Sequence, residues 1–217
     1  MGWWLPEPLV EPSVPGPEDA AELAGDLSVA FLWVLERLAP EERAAFLLRQ
    51  VFDHDYPEVA TALGKSEAAC RQLVHRASER LRLERPRFEV TREAHRKLLE
   101  KFMLAARSGQ RDALKALLAE NAQAVGDGGG KVPSIAKMLL GPDRIANLFW
   151  ANYLRLGDRL QYRPVQINGE PGLLRYLDGK LEAAQSFVTD GERIVAIYTV
   201  RNPDKLARIA LPITLPA

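Results

Sequence analysis

Cysteine is almost missing from this chain: of 217 residues only Cys70 carries a thiol. A single cysteine excludes an internal disulfide and fits a reducing cytoplasm. Histidine is nearly as scarce, with only His54, His75 and His95. Three histidines and one cysteine form no ligand-spaced cluster, so neither a metal nor a cofactor is expected. Long apolar runs are absent too. No stretch reaches the ~18 residues that would span a membrane, and no membrane partner is expected. The opening MGWWLPEPL has no basic n-region and no h-region, which argues against a signal peptide. Met1-Gly2 resembles a myristoylation start, but Pro6 stands where Ser or Thr is required.

Net charge is also lacking, with 29 basic and 29 acidic residues, so bulk field does not draw this protein to nucleic acid. The distribution is uneven, however. Residues 1–40 hold seven acids and one base, residues 41–91 nine of each, and residues 92–217 nineteen bases and thirteen acids. Any nucleic-acid binding must come from a local patch, and Lys65–Arg87 offers one, with seven bases against three acids. What is present otherwise is ordinary: 47% hydrophobic and 27% charged residues, enough for one or two real cores.

Five prolines (Pro6, Pro8, Pro12, Pro15, Pro17) mark residues 1–19 as an extended linker. Trp3, Trp4, Leu5 and Leu9 are too apolar for a free tail, so this linker is expected to dock, with Trp3, Trp4 and Leu9 as the contacts. A chain that opens inside a linker also suggests a preceding domain. From Ala20 the period turns helical, with Leu23, Leu27, Phe31, Val34, Leu35 and Leu38 on one face. Pro40 opens a second helix with Phe46, Leu47, Val51 and Phe52 as its apolar side. A turn at Asp53–Tyr56 leads to a short helix, Pro57–Leu63; Gly64 makes a corner and Ser66 caps a longer helix running to about Glu84.

This pattern predicts a helix-turn-helix in an all-α domain over residues 20–87, with Ala60 at the helix crossing. Cys70 and Leu73 point inward, leaving Glu67, Ala68, Arg71, Gln72, His75 and Arg76 outside. Arg and Gln make bidentate contacts to guanine and adenine edges, and Arg76, Arg80 and Arg82 continue along the phosphates. An ordinary helical hairpin with a solvated basic face is the alternative.

Pro86 stops that helix, and a second domain is expected over residues 92–217. Helices are predicted at Glu93–Arg107, Asp112–Leu118 and Asp143–Leu154. Strands follow at Leu160–Ile167, Gly172–Leu177, Leu181–Thr189 and Arg193–Arg201, separated by Asn168-Gly169, Asp178-Gly179 and Asp190-Gly191 hairpin signals. Helices first and an antiparallel sheet last indicate an α+β cone.

The run LSVAFLWVLERLAPEERAAFLLRQVFDHDYPEVATALGKSEAACRQLVHRASERLR resembles region four of bacterial extracytoplasmic-function sigma factors. The resemblance implies reading of the minus-35 promoter element and contact with the β flap of RNA polymerase. By position, Glu67, Ala68, Arg71 and Gln72 become the base-facing set, and Lys65, His75 and Arg76 the phosphate neighbours. WLPEPL (Trp4, Leu5, Pro6, Glu7, Pro8, Leu9), DGGGK (Asp127, Gly128, Gly129, Gly130, Lys131) and NPDKL (Asn202, Pro203, Asp204, Lys205, Leu206) are similar to three signatures of the SigJ-like subgroup. That subgroup carries a C-terminal SnoaL-like cone of the nuclear-transport-factor type. The resemblance implies a regulatory cone in which these segments form a surface facing the linker or the DNA-reading domain. Sigma region two, which would join the polymerase clamp, is not in this sequence, and the full protein is expected to contain it.

Three glycines and a lysine in DGGGK also raise a phosphate cradle as a reading. Pro133 lacks the N–H such a loop would use, so a tight backbone corner is expected instead. Catalysis by the cone has few candidates: the histidines precede the sheet, Asp178 and Asp190 lie in turns, and Tyr162, Tyr176 and Glu182 form no pair legible in sequence. Phe149, Trp150, Tyr153, Tyr162 and Phe187 read as core. A ligand-sensing regulator and a SnoaL-like enzyme fused to a DNA-binding domain are the competing classes.

Overall fold

A computed structural model describes residues 3–11, 28–84 and 90–209 of the chain. Its backbone divides into two compact units, one of residues 30–87 and one of residues 1–29 with 88–217. No helix among the described residues is long and apolar enough to cross a membrane.

The helical unit contains α1 (Val29–Glu36), α2 (Pro40–Phe46), α3 (Tyr56–Leu63) and α4 (Glu67–Glu84). Residues 20–27, including Leu23 and Leu27, lie outside the described residues, so only the second half of the first expected helix is seen. Its Phe31, Val34, Leu35 and Leu38 are buried as the period requires. After α2 the chain adds a π-turn, Leu47–Val51, closed by the Phe52 N–H donating to the Leu47 carbonyl at 3.0 Å. That extra residue per turn rotates the following side chains. Val51 and Phe52, expected on the apolar side of α2, are therefore 54% and 65% exposed.

Asp55 caps α3 through a capping box with Glu58, each side chain accepting from the other's backbone N–H at 2.9 and 3.0 Å. Gly64, at φ 62°, ends α3 in the left-handed conformation that allows the corner. Ser66 Oγ then accepts the Ala69 N–H at 3.2 Å and starts α4. Ala45, Val59, Cys70, Leu73 and Val74 form the small core, with Tyr56 and Ala60 packed against it.

The second unit is an α+β cone. Helices α5 (Arg92–Arg107), α6 (Arg111–Ala116) and α7 (Pro142–Leu156) accompany a seven-stranded sheet of order β1-β4-β5-β6-β7-β2-β3. The strands are β1 (Val10–Glu11), β2 (Leu118–Asp127), β3 (Leu139–Leu140), β4 (Leu160–Ile167), β5 (Glu170–Leu177), β6 (Lys180–Thr189) and β7 (Ile194–Val200). A short helix, α8 (Pro203–Leu206), follows. Phe102 of α5 meets Phe149 of α7 and Phe187 of β6 edge-on at 4.9 and 5.1 Å, which marks the centre of the core.

The four C-terminal strands are those expected, but the sheet is not purely antiparallel. The helix expected over Asp112–Leu118 stops at Ala116, and Leu118 begins β2, which runs parallel to β7. Asn168-Gly169 (φ 53° and 77°) and Asp178-Gly179 (φ 51° and 75°) take the positive angles of hairpin turns. Asp190 does not; its Oδ1 accepts the Glu192 and Arg193 N–H groups instead. Phe149 and Phe187 are core as expected, whereas Trp150 is exposed.

Candidate functional site

Two sets of residues matter, one in each unit. In the helical unit, Lys65 sits on the corner, and Glu67, Ala68, Arg71, Gln72, His75 and Arg76 occupy the first turns of α4 on the face away from Cys70 and Leu73. Glu67 is half-buried; the other five on α4 are exposed. Arg71 donates to Glu67 Oε2 at 2.9 Å, one helical turn back, and its guanidinium lies 4.8 Å from the centre of the Tyr56 ring. Two acids at the start of α2 reach the same region. Glu41 pairs with Lys65 at 3.0 Å and Glu42 with Arg76 at 3.1 Å. No local sequence signal ties Glu41, Glu42 or Tyr56 to this face, because only the fold brings α2 and α3 beside α4. Further along, the Arg82 guanidinium beside Glu79 holds that carboxyl below the usual carboxylate range.

The second set lies wholly within the cone unit. WLPEPL, DGGGK and NPDKL, far apart in sequence, converge on one ion pair: Lys205 Nζ donates to Asp127 Oδ2 at 2.7 Å, with both side chains buried. The same Asp127 oxygen accepts the Leu5 N–H at 3.1 Å, and Lys205 also donates to the Leu5 carbonyl. The Lys205 ammonium lies 3.4 Å from the centre of the Trp4 ring, a cation–π contact. Two buried charges are tolerated because each has its partner and its remaining hydrogen bonds.

The N-terminal segment is thus held largely by its backbone, with the Trp4 ring over Lys205 as one of the expected contacts. Leu5 and Pro8 are the buried ones, while Trp4 and Leu9 are 61% and 60% exposed. Asn168 Oδ1 accepts the Leu9 N–H at 3.1 Å, the Leu9 carbonyl accepts the Asn168 N–H at 2.8 Å, and Val10 pairs with Ile167 in the sheet. Pro6 is half-buried, and exposed Glu7 binds Arg208 at 2.7 Å.

DGGGK is a backbone corner. Gly129 and Gly130 have φ of 60° and 72°. A Cβ on Gly128 would meet the Val132 carbonyl at 2.2 Å, and one on Gly129 would meet the Asn202 side chain at 2.4 Å. Three N–H groups of this loop are already used: Gly129 donates to Asp127 Oδ1, and Lys131 and Val132 both donate to the Gly128 carbonyl. Lys131 instead binds exposed Asp204 at 2.6 Å. Asn202 caps α8 by accepting the Asp204 N–H, Pro203 opens its first turn, and Leu206 is buried.

The cone also holds a polar row. Glu182 is gripped by Arg175 at 2.6 Å and by Arg201, and Tyr162 lies beside Arg175. Burial pushes the Tyr162 phenol up and the Arg201 guanidinium down. A carboxylate committed to two guanidinium groups is not a free general base. His95 is buried, 3.6 Å from Glu170. Asp178 is an exposed partner of Arg159 at 2.5 Å. Among the described residues no cluster of His, Cys, Asp and Glu could hold a metal ion.

Comparison with known proteins agrees with both units. Residues 29–81 match the family described as sigma-70, region 4. The ECF RNA polymerase sigma factor SigJ of Mycobacterium tuberculosis is 33% identical over 216 residues, covering 94% of this chain and 69% of that protein. A probable ECF RNA polymerase sigma factor, SigI, from the same species is 27% identical, covering 88% of this chain and 63% of its own length. The crystal structure of M. tuberculosis SigJ superposes with a TM-score of 0.74 at 30% identity, across 98% of this chain and 77% of that one. The helical unit followed by an α+β unit is thus shared along nearly the whole chain, and the protein belongs to the extracytoplasmic-function RNA polymerase sigma factors.

Proposed function

We propose that the helical unit reads the minus-35 promoter element and contacts the β flap of RNA polymerase, and that the cone regulates this through the linker. The protein then acts in the cytoplasm, without an enzymatic step, beside a sigma region two in the full-length protein. Support for DNA reading comes from the exposed face of α4. Arg71 and Gln72 occupy its N-terminal turns, where a recognition helix meets base edges, and Lys65, His75 and Arg76 flank them at phosphate positions. The exposed apolar corner of Val51 and Phe52 suits a protein partner.

The observation that carries the regulatory reading is the buried Lys205–Asp127 pair, on which all three signature segments converge. A solvated loop tip would not bury both charges. Linker position is thereby tied to the state of the cone.

DNA affinity against salt tests the reading, using the whole chain on duplexes with and without a sigma-type upstream element. Arg71→Ala is expected to cost about 1–3 kcal/mol and relax preference at one position, and Arg76→Ala to weaken all duplexes and lower the salt slope by about 1. Asp127→Ala, which frees the linker, is expected to change transcription from the cognate promoter by the full-length protein. Equal affinity for all duplexes would remove the DNA-reading assignment, and unchanged transcription would remove the regulatory one.

A further inference from the structure

Building on the DNA-reading assignment, we propose that Tyr56 is a positioning residue that sets base specificity by presenting the Arg71 guanidinium. Tyr56 is the first residue of α3 and packs, half-buried, against the core of Val59, Cys70 and Leu73. Its ring is therefore fixed from behind. The Arg71 guanidinium lies 4.8 Å from the ring centre and that of Arg49 lies 5.6 Å from it. Arg49 is itself anchored, donating to Asp53 Oδ1 at 2.9 Å and to the His54 carbonyl at 3.3 Å. Glu67 completes the arrangement by accepting from Arg71 at 2.9 Å.

An arginine free in water samples many rotamers and loses that freedom when it docks on a base. Arg71 is instead held from two directions, by a carboxylate on its own helix and an aromatic ring on the preceding one. Core filling alone needs only an apolar residue at position 56. A π surface facing a guanidinium is a feature that leucine would not supply.

The test uses the 217-residue protein and a duplex selected from a random library by the wild type. Affinities for that duplex and its single-base-pair variants are measured against salt for wild type, Tyr56→Phe, Tyr56→Leu and Tyr56→Met. The ring-bearing Tyr56→Phe is expected to match wild type. Tyr56→Leu is expected to lose about two- to fivefold of the discrimination at one base pair, the one at which Arg71→Lys also loses it. The salt slope stays constant, because no phosphate contact is removed. Tyr56→Met, of similar bulk, serves if the leucine variant does not fold. Uniform weakening on every duplex, unchanged discrimination in the apolar variants, or loss in Tyr56→Phe would each overturn the proposal while leaving DNA reading intact. A wild type that selects no sequence would overturn both.

Discussion

The two units treat charge in opposite ways. In the helical unit, Lys65–Glu41, Arg71–Glu67 and Arg49–Asp53 all lie at the surface, where ion pairs are worth about 0–1 kcal/mol. Such pairs orient a basic side chain yet release it cheaply to a phosphate or a base. In the cone, Lys205–Asp127 is buried with its hydrogen bonds completed, and Arg175–Glu182 nearly so. Breaking a buried pair leaves one charge stranded in a poor solvent, which makes it a fastener. The helical unit keeps these charges exchangeable, whereas the cone makes these two pairs permanent.

The largest expected effect breaks the fastener. Asp127→Ala should destabilise the cone by about 3–5 kcal/mol, read as a lower melting temperature. Backbone amides of Leu5 and Leu9 should lose hydrogen-exchange protection, while α4 keeps its own. Equal loss in both units would erase the contrast. Next, Phe52→Ser at the exposed corner should leave melting unchanged but weaken polymerase binding by about 1 kcal/mol or more, measured by competition for core enzyme. Lys131→Ala sharpens the comparison, because its partner Asp204 immediately precedes Lys205 of the buried pair. Being exposed, that pair should cost less than about 1 kcal/mol on thermal melting.

The smallest effect at neutral pH concerns Tyr162, whose phenol is raised above its ordinary value of 10.0 by burial. The folded state holds this proton more tightly than the unfolded one. The contribution is complete below pH 10 and is lost as pH rises through the folded value. Tyr162→Phe should therefore reduce the alkaline loss of cone stability, followed by circular dichroism above pH 10.

Periodicity and turn chemistry made much of the fold legible. The inward set of Cys70 and Leu73, the Gly64 corner and the two hairpins with paired positive angles follow from local sequence. β2 did not, because LAENAQAVGD alternates poorly and its partner, β7, lies far along the chain. Val51 and Phe52 depart from the apolar period because a π-turn shifts the register without a proline or glycine to announce it. The residues of the linker knot were legible through family signatures. Their wiring was not, since lysine is ordinarily a surface residue and nothing near Lys205 says that Asp127 waits beneath it. Tyr56 escaped for the same reason: its role depends on a ring and a guanidinium on different helices.

The Lys205 hydrogen bond to Leu5 joins residues 200 positions apart. During synthesis at about 5–20 residues per second, Leu5 is made roughly 10–40 s before the residue that captures it. The helical unit lies entirely within that interval and can fold while the linker is still unclaimed. A nascent molecule therefore passes through a period in which the helical unit exists before the N-terminal segment is fastened to the cone. That period ends only when Lys205 has left the ribosome and the cone around it has formed.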